Sequence, residues 1–210
     1  MIAIIPVKLE NAKTRLSGIL SMEKRKELVL TMLGDVLEAL EDIDILIVTP
    51  SKFSFEKFFG RKFKILEEKK PLGLNKAVRK ATEYAINNGQ PTIFLPSDIP
   101  LIKRKDIDMV EKLGEDYNLI LSPSRDGGIT ALFRRPPDIV RECFSSKSFE
   151  SFIKEAEKNN IPYSIYSSPS LSIDIDTPQD IEEFMLMGKG TRTYEFLENL
   201  EVEIEICAKQ

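Results

Sequence analysis

An apolar run of Ile and Ala at residues 2–5 stops at Pro6 and passes into a polar segment carrying Lys8, Lys13 and Arg15 within eight positions. Strand-forming residues that end at a proline and give way to polar ones read as a buried strand feeding a loop. In an open α/β sheet, the loops at the carboxyl ends of the strands form the ligand crevice. Three cations leaving a first strand at that edge would meet a polyanion, of which a nucleoside triphosphate is the obvious example. Any one of them could instead solvate a surface loop, the commoner fate of a lone Lys or Arg. Three together after a buried-type strand weaken that alternative.

The surrounding charge sharpens the point. Residues 1–26 hold six basic side chains (Lys8, Lys13, Arg15, Lys24, Arg25, Lys26) against Glu10 and Glu23, inside a 210-residue chain whose net charge is −4. An acidic protein is no general binder of nucleic acid, whereas a local basic patch suits a small anionic ligand. The chain contains no histidine, so Ser-His-Asp and Cys-His catalysis and histidine-bearing zinc sites are excluded together. Cys143 and Cys207 are too few for a disulfide framework and read as structural thiols of a reducing cytosol. With no signal peptide and no apolar stretch of membrane-spanning length, the expected location is cytoplasmic, with no membrane partner. A 30% charged composition rich in Lys and Glu is of the kind found in thermophilic proteins.

Read in order, the chain alternates strands and helices. Ser21 caps a helix to about residue 40 whose stripe of Leu28, Met32, Val36 and Leu40 covers a sheet face. Strands at 43–49 and 63–66 flank a short Phe-rich helix or turn at 53–59, and a loop with Pro71 and Gly73 leads to a helix over 75–88. A strand at 92–95 ends in P-S-D-I-P, which holds Asp98 just past the strand terminus between two prolines. A helix at 105–113, a strand at 118–122, the D-G-G turn at 126–128 and a strand at 129–133 follow, so an antiparallel element or edge joins the sheet. The Ser-rich segment 144–149 precedes a helix to about 159, a strand covers 163–166, and D-T-P opens a helix over 178–187. A helix and an edge strand finish the chain over 191–210. The fold class is therefore α/β, a Rossmann-like three-layer α/β/α arrangement with a mixed, mostly parallel sheet. It forms one domain, with a nucleotide-binding half over 1–100 and an acceptor-binding half over 101–190.

The segment S-I-D-I-D-T-P places Asp174 and Asp176 on the same side of an extended chain. Two such carboxylates, with Asp98 at another strand end, are what a magnesium-dependent phosphoryl or nucleotidyl transfer needs, since Mg²⁺ takes a few carboxylates and completes its shell with phosphates. Asp176 has an alternative role as a cap of the helix at 178. Asp174 has none.

The ordered set I-P-V-K, A-K-T-R-L-S, G-L-N, P-S-D-I-P, D-G-G-I-T-A-L-F, the Ser-rich S-F and D-I-D-T-P resembles the 2-phospho-L-lactate guanylyltransferase family over residues 1–190. That family has the nucleotide-diphospho-sugar transferase-like fold and acts in biosynthesis of the deazaflavin coenzyme F420 of methanogens and some bacteria, so the resemblance implies an archaeal type of enzyme. It implies that Lys8, Lys13 and Arg15 hold the GTP phosphates, that Gly73, Leu74 and Asn75 lie against the nucleoside, and that Lys13, Arg15 and Asp98 are the catalytic residues. It further implies that Asp98, Asp174 and Asp176 ligate Mg²⁺ as the cofactor, and that Gly128, Thr130, Ser145 and Ser148 bind the acceptor phosphate. The chain departs from the family pattern at Ile129, Ser145 and Phe152. The acceptor is 2-phospho-L-lactate or a related three-carbon phospho-acid such as phosphoenolpyruvate or 3-phosphoglycerate. A second copy of the chain and the next enzyme of the pathway are the expected protein partners. Two other readings stand beside this one: a nucleotidyltransferase acting on a sugar phosphate or a molybdenum cofactor precursor, and a non-catalytic nucleotide-binding protein on the same fold.

Overall fold

The computed structural model describes residues 1–71 and 73–208, the last eight through their backbone only. The chain opens with β1 (Ile2–Pro6), a 3-10 turn at Thr14–Leu16, α1 (Met22–Ala39), β2 (Asp44–Thr49), α2 (Phe55–Phe59), β3 (Lys64–Glu67) and α3 (Leu74–Asn87). It continues through β4 (Thr92–Phe94), α4 (Arg104–Asp116), β5 (Leu119–Pro123), β6 (Ile129–Arg134), α5 (Ser148–Lys158), β7 (Tyr163–Ile165), α6 (Pro169–Ser172), α7 (Pro178–Met187) and α8 (Arg192–Ala208). The described strands form one sheet in the order β3-β2-β1-β4-β6-β5-β7.

Side chains on a strand alternate between faces, and here both alternating sets are apolar, so both faces must be covered. Ala3, Ile5, Ile45, Ile47 and Ile93 pack on one face with α1 residues Leu28, Met32 and Val36, with Ile107 and Val110 of α4, and with Leu197 of α8. On the other face Ile2, Ile4, Leu46 and Val48 meet Ala77, Ala81 and Ala85 of α3, while Phe94, Leu119, Leu121 and Leu132 meet Phe152 and Ala156 of α5. This is the expected three-layer arrangement with a mixed, mostly parallel sheet.

The expected antiparallel element is β6, which lies inside the sheet between β4 and β5; β5 pairs in parallel with β7 on its far side. Its reversed direction places the amino end of β6, with Gly128 and Thr130, at the edge where the parallel strands have their carboxyl ends. Residues 192–208 are helical throughout, in place of the helix and edge strand expected there. The alternation of Glu with Val202, Ile204 and Ile206 imitates a strand, but a helix already started on α1 extends at less cost than a new element begins. That start is fixed by Asp35 of α1, whose carboxylate accepts from the backbone N–H groups of Arg192 and Thr193 and from the Thr193 hydroxyl. No helix among the described residues is long and apolar enough to cross a membrane. Cys143 is half-buried, and its thiol is pushed up to about 11 by burial with Glu155 and Glu142 nearby, as suits a structural thiol; the Cys207 side chain lies outside the described residues.

Candidate active site

The loop after β1 is held against the end of β2 by Ser51. Its hydroxyl accepts from the Leu9 N–H at 3.0 Å and donates to the Glu10 carboxylate. Beyond this tie the backbone turns sharply: Asn11 and Lys13 have φ of 52° and 50°, a left-handed conformation that costs a non-glycine residue roughly 1 kcal/mol. The strain is offset by what it positions. Lys13 Nζ lies 2.5 Å from Asp98 Oδ2 and 2.6 Å from Asp176 Oδ1, with only 8% of its side chain exposed. Burial alone would lower the pKa of this ammonium group, but Asp98 and Asp176 outweigh it and hold the value above that of ordinary lysine. Lys13 is a fixed cation.

The two carboxylates come from different parts of the sheet. Asp98 follows β4 in a turn anchored by buried Ile99, Leu101 and Ile102. The segment 173–176 runs beside it, joined by a hydrogen bond from the Ile175 N–H to the Asp98 carbonyl at 3.0 Å. Ile173 and Ile175 are buried, so alternation turns Asp174 and Asp176 to the opposite side. Asp176 is not the cap of α7. That role belongs to Thr177, whose hydroxyl accepts from the Asp180 N–H while Asp180 accepts from the Thr177 N–H. Asp174 is pushed up to about 6, by burial first and then by the negative charges of Asp98, Asp126 and Asp176. Arg15 stands at the rim, 72% exposed and 3.8 Å from Asp176.

A cavity of about 380 Å³ opens beside this cluster, lined by Lys8, Lys13, Asp98 and Asp176 and by Gly73 and Leu74 at the start of α3. Its wall is apolar between them, with Val7, Val48, Pro50 and Ala77, and Glu68 and Pro71 also line it. Gly73 has φ of 89°, a conformation glycine adopts without penalty, and lets the chain enter α3 at the cavity wall. Asn75, expected against the nucleoside, is turned elsewhere. Its side chain accepts from the Phe144 N–H at 2.7 Å and donates to the Phe144 carbonyl at 3.0 Å.

That contact brings α3 to the Ser-rich segment. There Ser145 Oγ accepts from the Lys147 N–H, the Ser148 N–H bonds the Ser145 carbonyl at 3.1 Å, and the Phe149 N–H bonds the Gly127 carbonyl at 3.2 Å. A Cβ on Gly127 would stand 3.0 Å from the Ser146 carbonyl oxygen, so the glycine turn and the serine segment are packed backbone to backbone. Gly128, Thr130, Ser145 and Ser148 therefore belong to one neighbourhood. Thr130 and Ser148 are themselves buried, and the Thr130 hydroxyl donates to the Ser122 carbonyl at 3.3 Å. The sequence reading passed over Ser51, Glu68 and Asp126. A serine after a strand or an acid in a charged loop carries no local signal: the pairing of β2 with β1 and β3 puts Ser51 and Glu68 beside the site, and the antiparallel pairing of β6 with β4 and β5 puts Asp126 there.

The chain matches the family described as guanylyl transferase CofC like over residues 1–209. It is 39% identical over 209 residues to the 2-phospho-L-lactate guanylyltransferase of a Methanocaldococcus species, covering 98% of this chain and 90% of that one. It is likewise 39% identical over 208 residues to the enzyme of that name from Methanocaldococcus jannaschii, covering 98% and 91%. Among solved structures, a Desulfovibrio desulfuricans G20 protein described as a nucleotide-diphospho-sugar transferase superposes with a TM-score of 0.81 at 18% identity, over 97% of this chain and 96% of the other. A 4-diphosphocytidyl-2C-methyl-D-erythritol synthase gives 0.57 at 13% identity, over 88% and 97%. These likenesses extend the fold to the nucleotide-diphospho-sugar transferases, and the sequence match is closer still: this chain belongs to the CofC-like guanylyl transferase family.

Proposed function

We propose that this protein transfers the guanylyl group of GTP to the phosphate of 2-phospho-L-lactate or a related three-carbon phospho-acid, in biosynthesis of the deazaflavin coenzyme F420. The observation that carries the reading is Lys13, fixed between Asp98 and Asp176 at the mouth of a nucleotide-sized cavity in a chain of this family. In the reaction an acceptor phosphate oxygen attacks the α-phosphorus of GTP and forms a P–O–P link. The bond from the α-phosphorus to the β-phosphate oxygen breaks, and its electron pair leaves with pyrophosphate. The attacking phosphate is already anionic near pH 7 and needs no base, so a chain without histidine lacks nothing for this chemistry. The protein's part is positioning and charge neutralisation.

Lys13 supplies a positive charge that needs no proton exchange, and Lys8 and Arg15 add exposed charge at the entry for the triphosphate. Arg15 suits an outer phosphate, because its planar fork can grip two oxygens. Gly73 and Leu74 form the wall for the nucleoside. Gly128, Thr130, Ser145 and Ser148 hold the acceptor across from it, with the glycine turn and the serine segment fixed to each other.

The donor set also fits Mg²⁺. Asp174 faces Asp98, Asp126 and Asp176, more negative charge than Lys13 can balance, although among the described residues no three acidic side chains are gathered as a ready-made metal cage. Mg²⁺ commonly binds through one or two carboxylates and completes its shell with substrate phosphates. Asp98, Asp174 and Asp176 would hold it, and the ion would neutralise charge developing on the phosphates. The same reading puts the protein in the cytoplasm, with a homodimer and hand-off of the product to the next enzyme as its proposed associations.

The deciding experiment supplies GTP, Mg²⁺ and each of 2-phospho-L-lactate, phosphoenolpyruvate and 3-phosphoglycerate, and follows pyrophosphate release. Release with one of these acids, and none without acceptor, is expected. No release with any of them overturns the proposal.

A further inference from the structure

The cavity beside Lys13 is lined by three carboxylates, and they are not equivalent. Asp98 and Asp176 are engaged by Lys13. Glu68 lines the wall away from them, and among the described residues its carboxylate closes no hydrogen bond or ion pair. Its backbone is fixed, since the Glu68 N–H donates to the Thr49 carbonyl at 2.8 Å and continues the pairing of β3 with β2. Glu68 also borders a cationic groove containing Lys69, Lys76 and Lys80, yet none of these pairs with it.

The sheet order gives the distance scale. Glu68 follows β3 and Asp98 follows β4, three strand positions apart in the order β3-β2-β1-β4, which is roughly 14 Å at a strand spacing near 4.8 Å. That is the separation between the outer edge of a nucleobase and the phosphates of its nucleotide. Between the two ends the wall is apolar, with Val48, Pro50, Leu74 and Ala77, a surface suited to the flat faces of a purine. A base lying there with its phosphates at Lys13 turns its far edge to Glu68.

We infer that Glu68 selects guanine, its two carboxylate oxygens accepting the N1–H and the 2-amino group of the base. This rests on the reading of the cavity as a GTP pocket. The two donors lie side by side on guanine, and an ionised carboxylate is an acceptor-only group with two oxygens to meet them. Adenine and cytosine present a ring-nitrogen acceptor at the corresponding position and would face the carboxylate lone pair to lone pair. Xanthine keeps N1–H but carries a carbonyl at C2 in place of the amino group, so it too is rejected.

The test compares wild type with Glu68→Gln, which keeps the size of the side chain and exchanges one acceptor for a donor. The kcat/KM is measured for GTP, inosine triphosphate and xanthosine triphosphate with saturating acceptor, and the affinity for each is measured by calorimetry without acceptor. Wild type should favour GTP over both analogues by roughly 10- to 100-fold, the usual discrimination of a bidentate base contact. Glu68→Gln should lose about as much on GTP while gaining on xanthosine triphosphate, because the new amide donor meets the C2 carbonyl. A gain on one nucleotide is not produced by misfolding. An unchanged ratio of GTP to xanthosine triphosphate in the variant, or a wild type indifferent between them, overturns the inference. Should wild type transfer to none of the three acids, the guanylyl-transfer reading fails, and the calorimetric ratios still decide the role of Glu68.

Discussion

Lys13 and Asp98 are 85 residues apart in the chain, yet the Nζ of one lies 2.5 Å from the Oδ2 of the other. The contact needs a left-handed backbone at Lys13 and a proline-flanked turn after β4, so one strained residue and one rigid turn meet in a single ion pair. Lys13→Met would leave Asp98 and Asp176 facing each other with only the exposed Arg15 near Asp176 as counter-charge. Because both carboxylates are partly exposed, the expected loss of stability is about 2 kcal/mol, less than for a fully buried pair. Turnover should fall by more than about 100-fold, since a preorganised charge at the reacting phosphates is lost. Urea unfolding and pyrophosphate release measure the two effects, and wild-type turnover in the variant would remove Lys13 from the site.

Asp174 makes a pH-dependent prediction. Its carboxyl pKa rises from 3.8 to about 6 on folding, by burial and by the neighbouring acids. Between those values the folded protein binds more protons than the unfolded chain, so stability falls as the pH rises through this window and stays reduced above it. Asp174→Asn should abolish that slope and raise the stability of the metal-free protein at pH 7.5 by about 1–2 kcal/mol, allowing for partial exposure of the group. It should also lower turnover steeply and shrink the rise in Tm that Mg²⁺ gives the wild type. Melting curves from pH 4 to pH 8, with and without Mg²⁺, would show whether the slope and the metal response vanish together.

Asn75 is expected to act on the acceptor through the backbone it holds. Asn75→Ala removes both hydrogen bonds to Phe144 and frees the segment carrying Ser145 and Ser148. The KM for the phospho-acid should rise by roughly 5- to 30-fold, the effect of about 1–2 kcal/mol of lost positioning, while the KM for GTP stays within about twofold. Steady-state kinetics with each substrate varied in turn checks the split. An effect on GTP alone would return Asn75 to the nucleoside.

The fully buried Arg134 bonds Glu142 at 3.0 Å and the Thr82 hydroxyl at 2.8 Å. Glu142→Ala strands that guanidinium in the core, and the expected cost is about 3 kcal/mol. The exposed pair Glu150–Lys154 on α5 serves as control, since Glu150→Ala should leave the urea midpoint nearly unchanged. Equal effects of the two substitutions would contradict the burial argument.

The elements whose signals are local were legible in the sequence. The Ser21 cap, the stripe Leu28, Met32, Val36 and Leu40, and the alternation that turns Asp174 and Asp176 away from Ile173 and Ile175 all follow from side-chain period and backbone chemistry. The position of β6 was not legible, because strand order inside a sheet is decided by which faces pack best and leaves no trace in a five- or six-residue run. The partner of Asn75 was not legible for a related reason. A G-L-N motif tells where a helix starts, but its partner is the backbone of Phe144, 69 residues away, and a backbone partner has no side-chain signature. At Asp176 the capping role falls to the neighbouring Thr177, which is the better cap.

The reversal of β6 inside the sheet divides the site into two kinds of construction. On the nucleotide side, β1 and β4 run toward the ligand and must leave it through long segments that continue into α1 and α4, so a change there disturbs the packing of whole helices. On the side proposed for the acceptor, β5 and β6 are joined by a tight turn at the same edge, and that turn is packed backbone to backbone on the serine segment, so the two can change only together. On the proposed function, acceptor preference rests on two short segments, 126–130 and 145–148, while the nucleotide half stays under the constraint of its core. On that reading, paired changes in these two segments are the route from one small phosphorylated acid to another with the nucleotide kept.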